Sequence, residues 1–344
     1  MKLSIADQTM LRTGQSASQA LADTVELAIL ADDLGYQRFW LTEHHNMPVI
    51  GSSTPEILIS RVAQSTKRIR VGAGGIMLPN HSPLKVAECF RLLEALYPGR
   101  IDLGLGRAAG TDPYTAKILN PSNEFKAEDF PKKVEQLQAF LADAAITQRG
   151  SIIACPQIDT IPQQWILTGG ANASLAARWG LGLSLPHFIQ EVKDVDAIHR
   201  YRQEFSPSGS FPESRVSMGL FVICAENEQK AALLARAIQM VFVSMALYGR
   251  FQSVPSLEEA RRHEFTMQES AFLESQASKY VTGTPDQVRQ RLMEYASQFD
   301  LDEIIAMMMA HDFQDRIRSY ELLAKEFDLQ SMNAKYPEEL NSRT

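Results

Sequence analysis

Four consecutive polar residues, Glu43, His44, His45 and Asn46, follow the apolar run Phe39-Trp40-Leu41. An imidazole beside a carboxylate offers a proton donor or acceptor that titrates near neutrality. Adjacent histidines point to opposite faces of an extended strand, so His44 and His45 cannot share one metal ion without a bend. No HxH, HExxH or cysteine partner accompanies them. The residues therefore point to a single acid–base or hydrogen-bonding histidine, without saying which of the two, ahead of a metal site. The plain alternative is a strand running out into a solvated loop. His44 shares strand parity with Trp40 and Thr42, but parity alone does not say which face is inward.

Two glycine clusters and one small-residue turn carry the other signals. Gly74-Gly75 ends IRVGAGGIM, and Gly104 and Gly106 precede Arg107 in LGLGRAAG. The second cluster is spaced GxGxxxG, and Thr111-Asp112-Pro113 does not continue as an amphipathic helix, so a dinucleotide fingerprint is rejected. Close approach of backbone to a flat ligand, with Arg107 beside it, is the functional reading, and simple turn glycine is the alternative. Thr168-Gly169-Gly170-Ala171-Asn172-Ala173-Ser174 sits between a strand and a helix start. Small residues there leave the first helical amides open to a phosphate, with Asn172 or Ser174 as added donors and Arg107 as countercharge. A plain helix cap is the alternative.

These groups need elements that bring them to one place. The sequence predicts strands ending at Asp7, Leu41, Met77, Leu105, Leu167, Leu185, Cys224 and Met308, each followed by a helix. Thr54 caps a helix with Pro55 at its first position. Further helices are predicted at Pro131 to Ala145 and Ile189 to Phe205, with an irregular segment from residue 251 to 282. Eight alternations in 344 residues predict an α/β fold, a (β/α)8 TIM barrel with insertions at the C-terminal face. The runner-up is an open doubly wound sheet, which would leave two edges to protect. One domain is expected over residues 1–330, with a polar tail at 331–344. In such a barrel the carboxyl-end loops hold five of the seven histidines, at 44, 45, 81, 187 and 311.

Composition narrows the class. The net charge of −7 argues against a nucleic-acid surface. No run approaches ~18 apolar residues, the length a membrane span requires. The amino terminus has no apolar signal core. The three cysteines are scattered and read as reduced thiols. A cytoplasmic enzyme is the expectation.

WLTEHHN (40–46), VGAGGIMLPNHSPLKVAE (71–88), LYPGRIDLGLGRAAGTD (96–112), VTGTPDQVRQRL (281–292) and LDEIIAMMMAHDFQDRIRSYELLA (301–324) together resemble the bacterial luciferase-like flavin monooxygenases, in their non-luminescent single-chain branch. The resemblance spans residues 2 to 327. It implies a barrel that binds reduced FMN across its carboxyl end and uses O2 to oxidise a small organic substrate through a C4a-peroxyflavin. On this resemblance His44 is the active-site histidine. Gly74 and Gly75 lie under the flavin ring, Arg107 is on the phosphate side, and Thr168, Gly169 and Asn172 form the phosphate turn. A separate NAD(P)H:flavin reductase is implied as partner. So is a homodimer through the helices that carry Ile57, Leu58, Val62, Leu92 and Leu93. Three departures stand out: Gly106 replaces the cysteine of luciferase itself, which argues against light emission; the phosphate turn is one residue short; and Pro186 replaces a serine. The alternatives are an F420- or NAD(P)H-dependent flavin oxidoreductase, a metal-dependent barrel hydrolase, and a non-enzymatic flavin binder. Residues 250–282 are a candidate lid.

Overall fold

Eight parallel strands alternate with helices along the chain: β1 (Lys2–Asp7), β2 (Arg38–Leu41), β3 (Arg70–Met77), β4 (Ile101–Gly106), β5 (Gln163–Leu167), β6 (Gly182–Leu185), β7 (Val216–Cys224) and β8 (Glu303–Met307). The computed structural model describes residues 1–120, 122 and 124–330. The polar tail expected from residue 331 lies outside the described residues. Each strand pairs with the next. β7 pairs with β6 at Leu183↔Val216 and with β8 at Glu303↔Ser217, and β8 returns to β1 at Lys2↔Glu303. The sheet is closed, so the open doubly wound alternative falls and the fold is a (β/α)8 barrel.

The inward face of β2 is identified by what it touches. Trp40 meets Trp165 of β5 edge-on, with ring centroids 5.5 Å apart. β3 and β4 lie between those strands in the sheet, so the contact crosses the interior. Arg38, two residues earlier, stacks 4.7 Å over the same Trp165 ring. Its Nη1 donates to Asp102 of β4 at 2.6 Å and its Nε to Glu303 of β8 at 2.7 Å. Ser4 of β1 donates to Glu303, and Trp40 Nε1 donates to Asp102 at 3.0 Å. Burial pushes the Asp102 carboxyl up, but the Arg38 and Arg70 charges outweigh it and hold it below its usual range. A buried charge is tolerated only with such complete pairing.

Helix ends follow local chemistry. Ala17–Leu34 starts in a Ser16–Gln19 capping box and ends at Gly35, at φ +91°, where a side chain would be strained. Thr54 departs from expectation: Pro55–Ser65 begins after it, but its side chain caps nothing. The helix Phe130–Leu141 stops short of Ala145, and Val195–Glu204 starts six residues later than expected from Ile189. Pro113–Leu119 is helical, capped by Asp112, where no helix was expected. The segment after residue 250 is built, not irregular: helices Leu257–Arg262 and Met267–Ser275 lead into a short strand, Tyr280–Gly283, beside β7. The helix Glu228–Tyr248 is long and apolar enough to cross a membrane by length and composition, although it holds no run of ~18 apolar residues. Its Leu234, Ile238 and Val241 are buried in the barrel core, and Arg236 donates to the Ala260 carbonyl at 2.7 Å. That is the packing of a core helix.

Replacing Arg38 by methionine should strand Glu303 and weaken Asp102 inside the barrel. The expected loss is about 3–5 kcal/mol, measured as a shift in the denaturant midpoint at unchanged slope. A loss below about 1 kcal/mol would show that the network does not hold the strands.

Candidate active site

β2 carries its alternation up to the carboxyl rim. Arg38 and Trp40 face inward, so Thr42 and His44 continue on that side as the chain leaves the sheet. His44 Nδ1 lies 3.1 Å from the Thr42 hydroxyl. Its backbone N–H donates to the Ser52 carbonyl at 3.1 Å. That leaves Nε2 as the ring nitrogen without a partner among the described residues. Burial lowers its pKa to about 4, overriding the opposing pull of Glu43. Near neutrality the imidazole is uncharged.

Glu43, on the opposite parity, does different work. Its Oε1 accepts from His45 Nε2 at 2.9 Å and from His81 Nε2 at 2.8 Å, and its Oε2 accepts from the Met77 amide at 2.8 Å. Burial pushes this carboxyl up, but the two imidazoles and the amide outweigh it and hold its pKa at about 2. Burial also lowers His81, and its bond to Glu43 reverses that to a net rise. The carboxylate thus ties the end of β2 to the loop after β3.

Two cavities open at this rim, and His44, Phe188 and Ile189 form part of the wall of both. The first, about 320 Å³, is lined by Gly74, Arg107, Thr168, Gly169 and Asn172 with His44. Arg107 is exposed and makes no hydrogen bond or ion pair among the described residues. Thr168 Oγ1 accepts from the amides of Gly170 and Asn172 at 3.3 Å each, folding the turn onto itself. Asn172 occupies the cap position of Ala173–Trp179 without a side-chain cap bond. A Cβ on Gly169 would meet nothing within 4 Å. An anion therefore finds one unpaired guanidinium, an open turn and a helix start around the same space. Ser174 is not in this wall.

The glycine pair has a structural explanation that the sequence reading missed. A Cβ on Gly74 would come within 2.6 Å of the Trp40 ring, and one on Gly75 within 2.7 Å of the Gly104 carbonyl. Gly74 still faces the cavity, but Gly75 is in neither wall. The peptide between them is cis, and the β3–β4 register shifts between Ala73 and Ile76.

The second cavity, about 380 Å³, is apolar and rich in methionine and aromatic side chains, among them Met47, Phe221, Phe242 and Met309. These were not legible, since the wall is drawn from seven distant stretches of chain. One signal was available: Gly219 inside β7. A Cβ there would fall 2.3 Å from Phe188, the ring shared by both walls. A glycine within a strand marks such a close approach. The other loop histidines lie elsewhere. His187 accepts from the Val192 amide at 3.2 Å and packs on Tyr295, and His311 pairs with the Val254 carbonyl at 3.1 Å.

Comparison with known proteins agrees with this architecture. The chain is 38% identical over 330 residues to the uncharacterized protein YwcH of Bacillus subtilis, covering 95% of this chain and 99% of that one. It is 31% identical over 337 residues to the N-acetyl-S-alkylcysteine monooxygenase of the same organism, covering 94% and 97%. The crystal structure of apo-MsnO8 superposes with a TM-score of 0.84 at 35% identity, over 95% of this chain and 98% of that one. A profile of the luciferase-like monooxygenases matches residues 1–300, and with these relatives it establishes that the chain belongs to the luciferase-like monooxygenase family.

Proposed function

We propose that the protein is an FMN-dependent monooxygenase that takes reduced FMN and O2 and oxidises a small organic substrate. The observation that carries this reading is the pair of cavities that share His44 in their walls. One offers anion-binding groups and the other is apolar.

The chemistry of the rim cavity fits a phosphate-tailed flavin. Arg107 and the turn Thr168, Gly169 and Asn172 would hold the phosphate, and Gly74 would lie against the ring system. When bound, reduced FMN supplies two electrons to O2, so that one oxygen atom enters the substrate and the other leaves as water. The chain's own part is to bind, orient and keep water out. The Phe188 ring gives the shared wall a carbon face, where water would find no partner. His44, uncharged and anchored through Nδ1 to Thr42, keeps Nε2 free to take or return a proton at the junction. The chain carries no dinucleotide fingerprint, so a separate NAD(P)H:flavin reductase is the proposed electron source.

A homodimer is part of the same proposal. Of the apolar residues on the two helices after β2 and β3, Leu58, Val62 and Leu93 are buried in the core. Ile57, Leu92 and Leu96 stay 72%, 52% and 55% exposed. Together with Leu21 and Ile29 on the first helix they leave an apolar face on adjoining helices, of the kind that subunit contacts cover.

Three outcomes test the proposal. In a reductase-coupled substrate screen, His44→Ala should retain FMN binding and lose about 100-fold or more in turnover, while the wild-type His44 ring titrates by NMR with a midpoint near pH 4. Unchanged turnover, or a midpoint near the usual imidazole value, would remove His44 from the chemistry. Arg107→Ala should weaken FMN binding about tenfold or more, the worth of one charge-assisted hydrogen bond. It should leave riboflavin, which has no phosphate, unaffected; equal weakening of both would place the phosphate elsewhere. The double variant Ile57→Asp, Leu92→Asp should sediment as a monomer while the wild type sediments as a dimer.

A further inference from the structure

We infer that the apolar chamber selects an amphipathic anion: a substrate with an uncharged, flexible body and a carboxylate or similar acid held by Arg250, with Lys279 as the second cation of the wall. The inference rests on the reading of this chamber as the substrate side of the monooxygenase site.

The wall has an unusual charge pattern. Acidic residues outnumber basic ones in the chain, 41 to 34. None of the residues lining this chamber is acidic, and two are basic, Arg250 and Lys279. Most of the rest are aliphatic, aromatic or methionine, and the uncharged polar contributors are His44 and three glutamines. A substrate with an ammonium group would find no countercharge there. A wholly apolar one would leave the Arg250 guanidinium unmatched.

The two cations are placed by the fold. Arg250 follows Gly249, the left-handed residue at φ +62° that ends the helix Glu228–Tyr248. Its side chain is exposed and has no hydrogen bond or ion pair among the described residues. Lys279 precedes the strand Tyr280–Gly283, is half-buried, and donates to the Ile189 carbonyl at 2.6 Å. That bond uses one of its three N–H donors. Arg250, with its donors uncommitted, is the principal anchor for a carboxylate, and Lys279 adds a second positive charge to the same wall.

Polarity along the chamber sets the orientation. His44 belongs to the walls of both cavities, whereas Arg250 lines the chamber alone. An acid on Arg250 is therefore held off the shared wall, and the atom presented to His44 belongs to the uncharged body. Met10, Met47, Met245 and Met309 line that path, and their unbranched, polarisable side chains tolerate bodies of varied shape. The volume, about 380 Å³, lies at the small end of the ~300–1,000 Å³ range of small-molecule sites.

The test is calorimetric titration of the full chain, with and without FMN, using octanoate and 1-octanol as probes with matched tails. Octanoate should bind at least tenfold more tightly than octanol. Arg250→Glu should erase that preference, Lys279→Met should reduce it, and Arg149→Glu, which makes the same charge change on a distant exposed turn, should preserve it. Equal binding of the two probes, binding of neither, or a preference that survives Arg250→Glu would overturn the inference. The measurement needs no turnover. A failed FMN titration with octanoate preference intact would therefore sink the cofactor reading alone, and the reverse result would sink the anion chamber alone.

Discussion

A single buried guanidinium sets the orientation of everything above it. Arg38 takes its partners from β4 and β8 and stacks on a tryptophan of β5, while Ser4 of β1 completes the Glu303 side. Each partner is fixed by its own strand. A slip of β2 by one residue would turn Arg38 into the outer apolar layer and bring Phe39 against two carboxylates. An unpaired charge in that position costs several kcal/mol, more than any gain the slipped packing could return. Because side chains alternate, locking residues 38 and 40 inward also aims residues 42 and 44. His44 faces the cavities because of an ion network two pleats below it.

The same alternation divides labour among three consecutive residues. Glu43 turns the other way and is claimed by His45, His81 and the Met77 amide. With its pKa held down to about 2 by these donors, it is ionised near neutrality. An ionised carboxylate next door raises an imidazole's pKa, yet His44 ends near 4 because burial is the larger effect. Spending the carboxylate on the loop clamp is consistent with that balance: its charge is already compensated by three donors and reaches His44 weakened. The clamp also holds the loop after β3 against the rim, so Glu43 acts on geometry rather than on protons.

Much of the barrel was legible because its strands are short apolar runs closed by helix-starting residues, and that pattern survives without knowledge of contacts. The grouping of Arg107 with the Thr168–Asn172 turn followed from the same logic, since strand ends of a closed barrel share one rim. Glycine was less informative. It announces that a Cβ would not fit, but not what occupies the space, and at residues 74 and 75 the occupants are Trp40 and the Gly104 carbonyl. Pro113–Leu119 escaped notice because seven residues are too few to establish a helical period, although Asp112 and Pro113 are an ordinary helix start. The apolar chamber was out of reach for a different reason. Its walls come from residues 8 to 309, and no spacing rule links them.

The two halves of the site differ in what supports them. The rim cavity is made by strand ends and tight turns, where Gly74, Gly169 and Arg107 are held by the barrel itself. The chamber is walled largely by the end of Glu228–Tyr248 and the built segment after residue 250, which supplies Phe251, Phe272 and Tyr280. Changes at Phe251 or Phe272 alter the shape of the chamber from outside the eight barrel strands. The join between the halves is not free in the same way. Phe188 reaches it only because Gly219 has no side chain, and its amide is bonded to the Gly219 carbonyl at 3.0 Å. A single glycine within a barrel strand therefore fixes the partition, and variation on the chamber side must be accommodated around it.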